Sequence, residues 1–152
     1  MGAVEDRLAE LGLAVPEVAR PVASYVPAVR TGSYVYTSGQ LPMRNGELMQ
    51  TGKVGGEVTQ DEAVECAQQC ALNAIAALKA EVGDLASVKR IVKVVCFVSS
   101  TPDFTAQPQV ANGVSELLGT VFGDAGVHAR SAVGVPVLPL DAPVEVEIIA
   151  EV

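Results

Sequence analysis

The stretch from Lys89 to Val98 constrains the fold more than any other, because it is apolar on both sides of a strand. At a two-residue period Val92, Val94, Cys96 and Val98 share one face, while Ile91, Val95 and Phe97 occupy the other. Such a strand needs cover above and below, so it belongs inside a layered sheet. The last segment, Val144 to Val152, alternates more cleanly. Val144, Val146, Ile148, Ala150 and Val152 point one way; Glu145, Glu147, Ile149 and Glu151 point the other. Three more strands are expected at Tyr25 to Val29, Tyr34 to Ser38 and Ala129 to Val135. The first two are joined by Arg30-Thr31-Gly32-Ser33, where Gly32 supplies the positive φ of a hairpin turn.

Two long helices accompany these strands. Thr59-Gln60-Asp61-Glu62 is a capping box, followed by Ala63, Ala67, Cys70, Ala74 and Leu78 on one face and by Gly83 as a stop. The second helix is expected from Asp103 to Phe122, with Val110, Val114, Leu117 and Val121 on its apolar side. A short N-terminal helix carries Val4, Leu8 and Leu11, ends at Gly12 and runs into a linker, Pro16 to Pro21. Gly39 to Gly56 reads as loop, with Asn45-Gly46 its clearest turn. This order predicts an α+β fold, a mixed β-sheet with two helices packed on one face. Its second face is also apolar, and nothing remains in the chain to cover it. Burial against another subunit is therefore expected. The 152 residues form a single domain, 1–152, in which 1–20 are a helix-and-linker extension.

With 49% apolar residues and 18% charge, the chain is too apolar to be disordered. A net charge of −8, with ten Lys and Arg, leaves little from which to build a phosphate-binding face, which makes nucleic acid and anionic membranes poor partners. No window approaches the roughly 20 apolar residues of a membrane span. Glu5, Asp6 and Arg7 do not make a signal peptide, so a cytoplasmic protein is expected, with Cys66, Cys70 and Cys96 as reduced thiols. Cys66 and Cys70 share a helix face, but a metal would need more ligands and His128 is the only histidine. No metal is expected. The thiols read as core packing, without a cationic activator nearby.

Three features bear on chemistry. Glu145 and Glu147 share a strand face, as a carboxylate pair or a solvated edge. Arg130 is the only basic residue after Lys93 and stands in an otherwise apolar strand. It must find an anion, either as structural partner of Glu145 or Glu147 or as a bidentate grip on a ligand carboxylate. His128 shares its face by alternation, but beside Gly126 it reads as an incidental surface histidine.

Thr37-Ser38-Gly39-Gln40-Leu41-Pro42, Ala129-Arg130-Ser131, Leu138-Pro139 and Val144-Glu145-Val146-Glu147 together resemble the RidA (YjgF) family of reactive-intermediate deaminases, in the right order from about Tyr25 to the C-terminus. The resemblance implies a chorismate-mutase-like fold of the bacillus type, a homotrimer with ligand clefts between subunits, and no cofactor. It implies hydrolysis of 2-imino and enamine acids, such as those from 2-aminoacrylate, to 2-keto acids and ammonia. Arg130 matches the arginine that binds the substrate carboxylate, and Glu145 the glutamate that positions or activates water. Tyr25, Ser38 and Gly39 match cleft-lining positions, and Asn112 matches a helix asparagine that faces the cleft. Ala132 stands where typical active members have a pocket cysteine, and its backbone amide is placed to share in hydrogen bonding. With that departure, the N-terminal helix and a Gly123-to-Val127 insertion suggest a divergent subgroup. The competing reading is a non-catalytic trimer that binds a small carboxylate metabolite or a partner protein. A ribonuclease or translation-inhibitor role, attached to some members by name, is disfavoured by the acidic charge.

Overall fold

The computed structural model describes residues 2–20 and 24–152. The Thr59–Glu62 box closes as its spacing predicts. Thr59 Oγ1 accepts from the Glu62 amide at 3.2 Å, and Glu62 Oε1 accepts from the Thr59 amide at 2.9 Å. Helix α2 (Gln60–Val82) starts there and stops where Gly83 adopts φ +82°. Helix α3 (Gln107–Phe122) begins later than expected. Pro108, which lacks an amide hydrogen, sits in its first turn, and the preceding residues form a turn in which Phe104 N donates to Thr101 O at 3.1 Å. Helix α1 (Ala3–Glu10) buries Val4 and Leu8, and its Arg7 caps α3 by donating to Val121 O at 3.0 Å.

The strands β1 (Ala28–Thr31), β2 (Tyr34–Thr37), β5 (Arg90–Ser99), β6 (Ala129–Val135) and β7 (Val144–Glu151) form one sheet in the order β1-β2-β7-β5-β6. The pair β5–β6 is parallel, with α3 as the crossover, and every other pairing is antiparallel. Strand β1 starts three residues later than expected. Proline at 27 has no amide hydrogen to offer a ladder, and its carbonyl instead accepts from Ser38 N at 2.8 Å. A small hairpin, β3 (Met43–Arg44) with β4 (Glu47–Leu48), occupies the stretch expected to be loop; its turn is Asn45-Gly46.

The β5 pattern needs one correction. A bulge between Ile91 and Lys93 shifts the register, so Ile91 joins Val94, Cys96 and Val98 on the buried face and Val92 turns half-outward. Helices α2 and α3 pack on that face, over Val35, Val94, Cys96, Val144, Val146 and Ile148. On the other face stand Val29, Tyr36 and Ile149 in one row and Glu145, Phe97 and Val133 in another. Among these, Val29, Tyr36 and Val133 are 52%, 45% and 43% exposed, a concentration of apolar surface that no helix among the described residues covers. Among the described residues no helix is long and apolar enough to cross a membrane.

Candidate functional site

Arg130 lies on β6 beside Val94 and therefore faces the helices. Its Nη1 donates to Asn112 Oδ1 at 2.8 Å and to Ser115 Oγ at 3.2 Å, both on α3 and three residues apart, which places them on one side of the helix. Among the described residues it forms no ion pair; the two present are Lys53–Asp141 and Lys79–Glu5. The structural partnership with Glu145 or Glu147 weighed from the sequence is absent. So is the incidental histidine. Half-buried His128 places Nε2 2.8 Å from Ser115 Oγ and Nδ1 2.6 Å from Gly126 O, within the Arg130 network. Alternation along β6 had already put it on the same face as Arg130. Ala132 lies next on that face, opposite Cys96 and against the core.

Glu145 belongs to a second cluster. It faces the side of the sheet away from the helices, in a row with Phe97 and Val133. Its carboxylate lies over Gly39, where a Cβ would stand 1.9 Å from Oε2. Gly39 is held between Gln40, which exchanges two backbone hydrogen bonds with Val146 at 2.7 and 3.0 Å, and Ser38, whose Oγ donates to Val26 O at 2.6 Å. Only a residue without a side chain lets the carboxylate lie there. Burial raises the Glu145 pKa above the ordinary carboxylate range, and the charge of Glu147 adds to this.

Tyr25, Gly39 and Gln40 line a cavity of about 640 Å³, walled on one side by the linker Pro16 to Arg20 and on another by Arg44, Gln69 and Asn73. Asn73 Nδ2 donates to Leu41 O and Met43 O, both at 3.0 Å, and Gln69 Nε2 donates to Asn73 Oδ1 at 3.2 Å. These two amides went unnoticed in the sequence, although two polar residues four apart in a mainly apolar helix were the available signal.

Within one chain the structure thus forms two groups. Arg130 with Asn112, Ser115 and His128 is one; Glu145 over Gly39 is the other, with Ser38 next to Gly39 in the chain and Tyr25 lining the same cavity as Gly39. Across the register Glu145 aligns with Val133, three residues along β6 from Arg130 and on the opposite face, with β5 between. The two expected catalytic side chains are not brought together by a single chain.

All three cysteines are buried. Burial pushes Cys66 up to about 11 and Cys96 up to about 12, although Arg130 pulls the latter down, and it holds Cys70 well above the ordinary thiol range. Core packing, as read from the sequence, describes them.

Residues 5–152 match the family model described as "YjgF/chorismate_mutase-like, putative endoribonuclease". Protein TCP17 of Trypanosoma cruzi is 44% identical over 151 residues, covering 99% of this chain and 94% of that one. The crystal structure of Atu1372 from Agrobacterium tumefaciens, a protein described as of unknown function, is 44% identical and superposes with a TM-score of 0.93 over 99% of this chain and 93% of that one. The protein of Dermatophagoides farinae named 2-iminobutanoate/2-iminopropanoate deaminase is 33% identical over 137 residues, 89% of this chain and 91% of its own. Matches to the first two extend over nearly all of the helix-and-linker extension. On sequence motifs, fold and these likenesses, the chain belongs to the YjgF/chorismate-mutase-like family, the family of the RidA deaminases.

Proposed function

We propose that the protein hydrolyses small 2-imino and enamine acids to 2-keto acids and ammonia, in a cleft completed by a second copy of the chain. The observation that carries this reading is the state of Arg130, a half-buried guanidinium clamped through Nη1 by two neutral side chains and paired with no carboxylate among the described residues. A cation held in that way, at a cost in desolvation, suits an anionic ligand. The name of the 33% identical relative, a 2-imino acid deaminase, supports the ligand class.

An imine carbon is already electrophilic, and the reaction needs few groups. Arg130 holds the carboxylate and so fixes the imine carbon. A carboxylate with a raised pKa, Glu145, takes one proton from the attacking water and passes it to nitrogen, giving a tetrahedral carbinolamine; it then carries the carbinolamine hydroxyl proton to nitrogen as the C–N bond breaks. The C=N bond is exchanged for C=O, one water is consumed and one ammonia leaves. Because Arg130 and Glu145 lie on opposite sheet faces, the Arg130 group of one subunit would meet the Glu145–Gly39–Tyr25 group of another. The exposed apolar rows support such an assembly, a homotrimer by resemblance to the family.

The separation of the two groups within one chain is also the observation that favours the second reading, a binding protein without turnover. Ammonia release from enzymatically generated 2-aminoacrylate decides between them. Arg130→Lys should lower that release and pyruvate affinity by on the order of a hundredfold, since losing a sheltered bidentate contact costs about 2–5 kcal/mol. Pyruvate binding without any ammonia would leave the binding protein; Arg130→Lys with unchanged affinity would remove the ligand role.

A further inference from the structure

We infer that Ser115 and His128 are positioning residues for Arg130, relaying a fixed hydrogen-bond direction from the backbone carbonyl of Gly126 to the guanidinium. This rests on the reading of Arg130 as the carboxylate grip. His128 Nδ1 lies 2.6 Å from Gly126 O, and a carbonyl only accepts, so Nδ1 carries the proton. In the neutral ring Nε2 is then an acceptor, and the Ser115 hydroxyl 2.8 Å away must donate to it. That turns the lone pairs of Ser115 Oγ toward Arg130 Nη1, at 3.2 Å. The second Nη1 hydrogen goes to Asn112 Oδ1 at 2.8 Å. Both hydrogens of Nη1 are thereby used, and the Nε–Nη2 edge, with its parallel N–H pair, is left to face a ligand carboxylate.

The relay has a rigid origin. Gly126 is buried in the short 3₁₀ turn Gly123–Gly126, and a Cβ there would lie 2.1 Å from Leu118 O, so the turn is seated directly on α3. The segment that reads as an insertion in the sequence therefore supplies the carbonyl that sets the histidine tautomer. Without it, a serine hydroxyl beside Arg130 would rotate freely and would hold Nη1 less firmly.

The test uses pyruvate as probe, by calorimetry on the assembled protein. Ser115→Ala and His128→Ala should each weaken binding about tenfold, and the double variant should lose no more than either alone, because both remove one relay. Arg130→Lys in the same series separates the two readings. If it binds like the wild type, the carboxylate grip itself fails; if it loses binding while Ser115→Ala or His128→Ala binds normally, only the relay fails. Roughly hundredfold loss in the double variant would mean independent contacts and would also overturn the relay. A measurement on the wild type needs no variant to fold. The chain has one histidine, so its imidazole ¹⁵N resonances are unambiguous, and they should show the Nδ1–H tautomer. An Nε2–H tautomer would sink the inference.

Discussion

Substituting Gly39 by alanine should displace the Glu145 carboxylate while leaving the fold standing. The new Cβ would lie 1.9 Å from Glu145 Oε2, 2.8 Å from Cδ and 3.1 Å from Cγ. Gly39 is not among the residues with positive φ, so the backbone accepts alanine without strain. All three crowded atoms belong to the end of a flexible, half-buried side chain, which swings away at little cost. To reach ordinary contact, about 3.4 Å, Oε2 must retreat by about 1.5 Å. A misplacement of roughly 1 Å at a reacting group can cost a hundredfold in rate. The expected result is therefore a fall in ammonia release on the order of a hundredfold, with a melting temperature within about 4 °C of the wild type, since less than about 1 kcal/mol is at stake. The Glu145 pKa should also fall toward the ordinary range as the carboxylate leaves its sheltered place, which ¹³C NMR titration reads independently of activity. Adding Gly39→Ala to a Glu145→Gln background should cost little further activity. Wild-type turnover together with an unchanged titration would refute the placement of Glu145 in the chemistry.

At the α2–α3 crossing the same substitution has the opposite signature. A Cβ at Gly113 would meet the Val64 carbonyl oxygen at 2.5 Å, and backbone cannot swing away. Overpacking of about 3 kcal/mol against a helix-propensity gain of about 1 kcal/mol predicts a net loss near 2 kcal/mol, a melting-temperature drop of roughly 4–8 °C by calorimetry. Glu145→Gln should stabilise the protein at neutral pH. The folded-state pKa is raised, so the wild-type fold loses stability as pH rises from the ordinary carboxylate range through that raised value, and glutamine removes the penalty. Melting curves across this range should converge at low pH; a variant less stable at neutral pH would contradict the burial argument. Iodoacetamide at about pH 8 should leave Cys66, Cys70 and Cys96 unmodified in the native protein and label all three after denaturation, because burial holds the thiols protonated. Rapid labelling of any one would overturn its place in the core.

Local chemistry alone determined much of this protein. The Thr59–Glu62 box and Gly83 delimit α2 because caps involve only neighbours in the chain. The alternation of Val144 to Glu151 predicts which side of β7 is buried because strand periodicity is a backbone property. The burial of the cysteines and the lack of helices for a second sheet face were equally legible, as was the family. Tertiary structure decided the rest. The bulge that exchanges Val92 for Ile91 arises from pairing with β7, a strand more than fifty residues away. Asn112, Ser115 and His128 meet at Arg130 only because α3 crosses from β5 to β6 and the Gly123–Gly126 turn seats on it. That Arg130 and Glu145 look to opposite faces follows from sheet order. Alternation orders the residues of each strand between two faces, but which face of β6 continues which face of β7 is settled by the hydrogen-bonded register through β5, and no local pattern carries that information.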